Sequence, residues 1–213
     1  MARRPRLNAD VAAAIVQSQV IAIVRQRQED VEAILETGRA LVAAGLPVVE
    51  VTLNTPGALT AIGRLADEVD AIIGAGTVLT TRDVDAVADA GGRFVVSPDV
   101  QVGVIERAAE RGLLSLPGAC TPTEVRHALD AGADLVKLFP AGPLGVSYLS
   151  ALRGPFPDVP FVPTGGIGLG DVVEYLGAGA TAVGLGSSLV GGTPREVADR
   201  ARRLIALKSR KTG

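Results

Sequence analysis

Two charged residues sit inside apolar runs. Lys137 lies in GADLVKLFPA and Glu50 in PVVEVTLNTPG. An ammonium or a carboxylate taken out of water is costly unless it is paired or neutralised. One explanation is a buried ion pair between the two. The other is chemistry. Burial among Leu135, Val136, Leu138 and Phe139 lowers the pKa of the amine and leaves more of it neutral. A neutral amine attacks a ketone and forms a Schiff base. The protonated imine is an electron sink, so a neighbouring C–C bond can break. Glu50, pushed toward neutrality by its own burial, is then the proton shuttle. The two explanations coexist, since a resting pair can be hydrogen-bonded.

Other polar groups close the remaining apolar runs. Arg25 ends the first; its forked guanidinium suits a carboxylate or a phosphate, and a surface arginine at a helix entry is the plainer alternative. Thr52 and Asn54 follow Glu50, Thr77 closes GAGT, and Ser97-Pro98 and Pro117-Gly118 close the next two runs. Thr164, Gly165 and Gly166 follow the seventh run, and Gly184-Leu185-Gly186-Ser187-Ser188 ends the eighth. TGGIG and GLGSS expose backbone N–H groups with no side chains in the way, which suits a phosphate, and Ser187 can add a hydroxyl. The alternative is that these glycines only make tight turns. Cys120 is the one cysteine and reads as a small buried residue. His127 is the one histidine and sits in a polar helical pattern, TEVRHALDAG. Serine–histidine catalysis and a Cys/His metal site are therefore not expected.

These groups need a scaffold that brings eight strand ends to one rim. Eight apolar runs recur: VIAIV (20–24), VVEVT (48–52), AIIGA (71–75), RFVVS (93–97), LLSLP (113–117), LVKLF (135–139), PFVPT (160–164) and TAVGL (181–185). Most are apolar throughout, as parallel strands covered on both faces are. Amphipathic segments lie between them; Val31, Ile34, Leu35, Leu41 and Val42 share one helical face. Thr121-Pro122-Thr123-Glu124 and Thr193-Pro194-Arg195-Glu196 are capping boxes, and Gly45, Gly91, Gly112, Gly132 and Gly179 read as helix ends. The pattern predicts an α/β fold, a (β/α)8 TIM barrel, with its active site where strands end and loops begin. Residues 8–18 (NADVAAAIVQS) predict an extra N-terminal helix closing the barrel bottom. An open doubly wound sheet is the lesser alternative; it calls for a glycine-rich turn after the first strand, where Arg25-Gln26-Arg27-Gln28 stand.

Composition agrees. The 213 residues suit one domain, 1–213, with 1–7 and 209–213 as flexible tails carrying Arg3, Arg4, Arg6, Arg210 and Lys211, and with Lys208 beside the second. A net charge of −2 gives no reason to expect nucleic acid or an anionic membrane as partner. No apolar run approaches the ~18 residues of a membrane span. A single cysteine suits a reducing cytoplasm.

Taken in order, EVTLNTP, GAGTVL, VSPD, LPGACTPTE, KLFPA, PTGGI and GLGSSL resemble the class I 2-keto-3-deoxy-6-phosphogluconate (KDPG) / 4-hydroxy-2-oxoglutarate (KHG) aldolases, over about Val20 to Val190. The resemblance implies a homotrimeric barrel that splits a 2-keto-3-deoxy-6-phosphosugar acid into pyruvate and glyceraldehyde 3-phosphate, without metal or organic cofactor. It implies Lys137 as the Schiff-base lysine and Glu50 as the general acid/base. Thr77 falls near the pyruvate carboxylate, Gly165, Gly166 and Ser187 fall at the phosphate, and Pro98 joins the substrate-binding candidates. One departure stands out. Many gluconate-specific members carry arginine where this chain has Asn54. The L-N-[ST]-P form resembles the branch acting on the galactonate epimer, whereas Thr164 resembles the gluconate branch. Arg25 is the candidate for the missing positive charge. Another phosphate-binding barrel, or a non-catalytic one, are the remaining alternatives.

Overall fold

Helices begin where a threonine and an acid three residues on can exchange hydrogen bonds with the free N–H groups of the first turn. Thr121 and Glu124 do so at one helix, and Thr193 and Glu196 at another. A third box, Thr80 with Asp83, was not singled out in the sequence. Helices end where the chain turns left-handed. All five glycines assigned to helix ends have positive φ, between 68° and 93°.

The computed structural model describes residues 8–209. The segments 1–7 and 210–213 assigned to tails lie outside the described residues. Helices and strands alternate: α1 (Ala9–Ser18), β1 (Val20–Val24), α2 (Val31–Ala43), β2 (Val48–Thr52), α3 (Ala58–Glu68), β3 (Ile72–Gly76), α4 (Thr81–Asp89), β4 (Phe94–Val96) and α5 (Val102–Glu110). There follow β5 (Leu114–Leu116), β6 (Gly118–Ala119), α6 (Pro122–Asp130), β7 (Val136–Leu138), α7 (Ala141–Arg153), β8 (Phe161–Pro163), α8 (Val172–Gly177), β9 (Val183–Leu185) and α9 (Pro194–Ser209). Ser209 is thus the last residue of α9, not part of a tail. Lys208 is no free cation either: its Nζ is half-buried and donates to the Ser18 carbonyl, and burial lowers its pKa.

All strand pairs are parallel. One sheet runs β5-β4-β3-β2-β1-β9 and another β6-β7-β8. The fifth apolar run is split at Pro117, which has no N–H to give to a ladder. Hydrogen bonds continue past both sheet boundaries. Leu135 N–H donates to Ser115 O (3.2 Å), Thr181 N–H to Phe161 O (2.9 Å), and a bridge joins Thr164 to Gly184. The result is an α/β fold with its parallel sheet curled on itself.

Successive strand side chains point to opposite faces, and here they fill two separate cores. Val20, Ala22 and Val24 of β1, Val49 and Val51 of β2, and Val136 and Leu138 of β7 pack with the helices. Ile21, Ile23, Val48, Phe94, Val96, Leu114, Leu116 and Val162 form an inner cluster, joined by Val11 and Ile15 of α1. Glu50 stands between Val49 and Val51, and Lys137 between Val136 and Leu138. Alternation therefore turns both charges inward.

Candidate active site

Glu50 is 2% exposed and Lys137 8%. Glu50 sits mid-sheet, level with Ile23 of β1 and Gly74 of β3. Lys137 is level with Gly118 of β6 and Val162 of β8, and its N–H donates to Pro117 O at 2.9 Å. Among the described residues no ion pair within 4.0 Å joins the two side chains. The simple salt-bridge explanation therefore does not hold for this conformation.

Burial sets the charge states. It pushes the Glu50 carboxyl up, against the opposing pull of Lys137 and then Arg25. It pushes the Lys137 amine down; Glu50 works against that shift and Arg25 adds to it. Mutual attraction is too distant to offset desolvation in either group, so both move toward the neutral form. The Phe139 ring lies over the amine, with Nζ 4.7 Å from its centroid. Phe139 is two residues past Lys137 and so shares its face of the strand. A neutral amine under an apolar lid, with a carboxylic group able to hold or release a proton nearby, is equipped for carbonyl attack and proton shuttling.

Arg25 is exposed at the end of β1. Its Nε donates to Thr52 Oγ1 (3.4 Å) and a terminal nitrogen to Thr77 Oγ1 (3.5 Å). Thr52 Oγ1 is 3.1 Å from Thr55 Oγ1, which accepts from Gln26 N–H at 3.1 Å. Thr55 was missed in the sequence, where only its place in a motif was visible. Thr77 has a φ of 58°, uncommon for a β-branched residue and a feature often kept at functional sites. Arg25, Thr52 and Thr77 thus form one cationic corner beside Glu50. Asn54 is not part of it; it is exposed and makes no hydrogen bond among the described residues.

The strand-end loops on the far side also meet. Thr164 is buried, and its hydroxyl donates to Val162 O (3.2 Å). Gly165 and Gly166 have φ of 90° and 75°. A side chain at Gly165 would press on Phe139, 2.8 Å from its Cε2, so this loop abuts the lysine's lid. The Ser188 hydroxyl, which sequence reasoning left aside, donates to Ile167 O at 2.8 Å and ties the loop after β9 to the loop after β8. Ser187 is exposed beside it. The N–H groups of Gly165, Gly166, Ser187 and Ser188 find no acceptor among the described residues, which leaves them available to an anion. Pro98 is half-buried after β4, its carbonyl packed so closely on Gly118 that a side chain there would overlap it. His127 is an exposed residue of α6. Cys120 is partly exposed rather than buried; its N–H donates to Glu124 and its carbonyl accepts from Tyr148. Among the described residues no cluster of three or more His, Cys, Asp or Glu could hold a metal ion.

The family model for KDPG and KHG aldolase matches residues 11–202. The chain belongs to this aldolase family. It is 39% identical over 178 residues to the probable 2-dehydro-3-deoxy-6-phosphogalactonate aldolase of Rhizobium meliloti strain 1021, which covers 82% of each chain. It is 40% identical over 166 residues to the KHG/KDPG aldolase of Escherichia coli K12, covering 77% of this chain and 78% of that one. Among solved structures, the KDPG aldolase of Legionella pneumophila, with pyruvate captured at low pH as a covalent carbinolamine intermediate, superposes with a TM-score of 0.84 at 32% identity. That match covers 91% of this chain and 97% of the other. Solved aldolases of this family therefore share its fold over about nine-tenths of the chain, not one motif.

Proposed function

We propose that this protein is a class I aldolase that cleaves 2-keto-3-deoxy-6-phosphogluconate to pyruvate and glyceraldehyde 3-phosphate, with Lys137 as Schiff-base nucleophile and Glu50 as general acid/base. The observation that carries the proposal is the inward, buried placement of both groups, each pushed toward neutrality by desolvation. A carbinolamine, as captured in the Legionella relative, requires an amine and a carbonyl, and Lys137 is the amine we assign to it. The scaffold we propose is a single-domain, closed (β/α)8 barrel with α1 across its bottom, the hydrogen bonds past both sheet boundaries being its support. Arg25 and Thr77 hold the carboxylate end, Pro98 and Thr164 line the path between, and Gly165, Gly166 and Ser187 take the phosphate. Incubation with pyruvate and borohydride, followed by mass measurement, tests the chemistry: a pyruvyl adduct on Lys137 is expected, and its absence would sink the Schiff-base assignment.

The galactonate epimer is the second candidate, favoured by Asn54. The exposed Asn54 carries no charge to hold a carboxylate, whereas the charge of Arg25 acts on the buried Glu50 carboxyl. Turnover on both epimers, and on 4-hydroxy-2-oxoglutarate, decides between them.

The phosphate assignment makes its own prediction. Ser187→Ala should cost about 1.5–3 kcal/mol of transition-state binding, the worth of one hydrogen bond to a charged group, or roughly 10- to 150-fold in kcat/KM. Gly166→Val should cost more, because a branched side chain is strained at φ 75° and intrudes on the anion's place. The unphosphorylated 4-hydroxy-2-oxoglutarate should be nearly indifferent to both changes, since remote binding energy serves only a substrate with the remote group. Equal losses for both substrates would mean that the loops merely support the fold.

The proposed assembly is a homotrimer. Leu59, Leu79 and Val102 are 40%, 49% and 49% exposed. They surround the start of α4: Leu59 lines a cleft with Asp83, Asp83 bonds the Leu79 N–H, and Gly103 approaches Thr81. Clustered exposed apolar residues indicate an interaction surface. Leu79→Glu should shift the protein from trimer to monomer in sedimentation velocity; an unchanged trimer would place the interface elsewhere. Among the described residues no helix is long and apolar enough to cross a membrane. We place the enzyme in the cytoplasm on its single cysteine.

A further inference from the structure

We infer that Gly76 is a positioning residue for Glu50: its missing side chain is the slot that holds the Glu50 carboxylate in the interior. The inference rests on the reading of Glu50 as the acid–base group. Strand β3 reads Ile72-Ile73-Gly74-Ala75-Gly76, and its outward residues Ile73 and Ala75 pack against the helices. Of its inward positions, Ile72 packs on the inner cluster and the next two are glycine, so the C-terminal half of β3 presents bare backbone to the interior. Neighbouring strands fill the space. A Cβ on Gly74 would run into the Phe94 ring of β4. A Cβ on Gly76 would overlap Oε1 of Glu50, and would lie 2.5 Å from its Cδ and 3.0 Å from its Cγ. The three heavy atoms nearest that position all belong to Glu50. The carboxylate therefore reaches from the level of Gly74 to that of Gly76 and lies across the backbone of the adjacent strand at its C-terminal end. Gly76 is itself held in place, because its carbonyl accepts from Leu53 N–H at 2.8 Å.

The slot has two consequences. It keeps the carboxyl in the dry interior, where desolvation holds it toward its protonated form. It also fixes the direction from which the proton is delivered to a substrate on Lys137. Alanine is the smallest probe. At Gly74 the obstacle is a buried aromatic ring. At Gly76 it is the far end of a flexible side chain, which can swing away, so Gly76→Ala should fold.

The test is a cycle of four proteins: wild type, Gly76→Ala, Glu50→Ala and the double variant. Gly76→Ala is expected to lower kcat on the phosphorylated substrate by roughly 10²-fold, the usual effect of an ångström-scale misplacement, with KM changed only a few-fold. The acid limb of its kcat–pH profile should move to lower pH, as the displaced carboxyl regains water. In the Glu50→Ala background the same substitution should cost nothing more. A wild-type kcat in Gly76→Ala, or an undiminished loss in the Glu50→Ala background, would overturn the inference while leaving the role of Glu50 intact. High activity in Glu50→Ala would instead remove the acid–base reading, and the positioning role with it. Melting temperatures follow the slot independently of activity: the loss caused by Gly76→Ala should vanish once Glu50 is truncated, and a loss that persists would show a clash with something else. Should Gly76→Ala fail to fold while the double variant folds, the slot is confirmed; failure of both overturns it.

Discussion

Replacing Lys137 with alanine is expected to abolish aldol cleavage and leave the fold standing. No other group in the inner cluster offers a nucleophilic amine, so without it neither imine nor electron sink can form. Rate loss should exceed that of any other single change. The structural cost is small because the lysine is not half of a close ion pair: among the described residues no ion pair within 4.0 Å joins it to Glu50. Nor does its removal strand a charge, since burial already favours the protonated, neutral form of Glu50. The pH dependence of stability should report the same physics. Because the folded pKa of Lys137 lies below the 10.5 of a free lysine, the unfolded chain binds more protons between those two values. Wild-type stability therefore rises with pH through that window. Lys137→Ala should lack this rise. Circular dichroism, a pyruvate-release assay and melting curves against pH check the three parts. More than a trace of cleavage by a folded variant would remove the Schiff-base role.

Glu50→Gln is expected to lower turnover by roughly 10²–10⁴-fold, the worth of a positioned acid–base group. Glutamine keeps the shape and can occupy the Gly76 slot, so the loss isolates the proton. Exchange of pyruvate methyl protons with deuterium should fall in parallel, because that exchange needs the same base after imine formation. Unchanged exchange would assign the base elsewhere. Stability should move the other way. The folded pKa of Glu50 is raised above the ordinary 4.5, so the folded chain binds more protons between the two values, and wild-type stability falls as pH rises through them. Glutamine never ionises. The variant should match the wild type below that window and melt higher above it, a case of stability sacrificed to function. Melting curves at pH 4 and pH 8 make the comparison.

Much of this was written locally. The alternation in VVEVT and LVKLF puts each charge on the opposite strand face from its two neighbours, and the fold shows that the neighbours face the helices and the charges the interior. Capping boxes and left-handed glycines likewise act within a few residues, which is why the helix limits at Thr121, Thr193 and Gly132 were legible. The seven strand-end motifs carried the family, and the family model confirmed it.

What tertiary structure alone decided is how groups far apart in the chain meet. Whether Lys137 and Glu50 form an ion pair depends on the span between two strands of different sheets, which no local pattern encodes. The same holds for the corner made by Arg25, Thr52 and Thr77, for the Thr55 hydroxyl behind it, and for the partly exposed Cys120, whose carbonyl accepts from Tyr148 of α7. Gly76 shows the difference most sharply. In sequence it is one glycine of GAGT, the stretch that Thr77 closes. In the fold it is an absence shaped to the end of the Glu50 side chain, from the neighbouring strand. Local pattern sets which way a side chain points, because that is a matter of backbone geometry. Only packing sets what it meets, because that depends on which strands lie side by side.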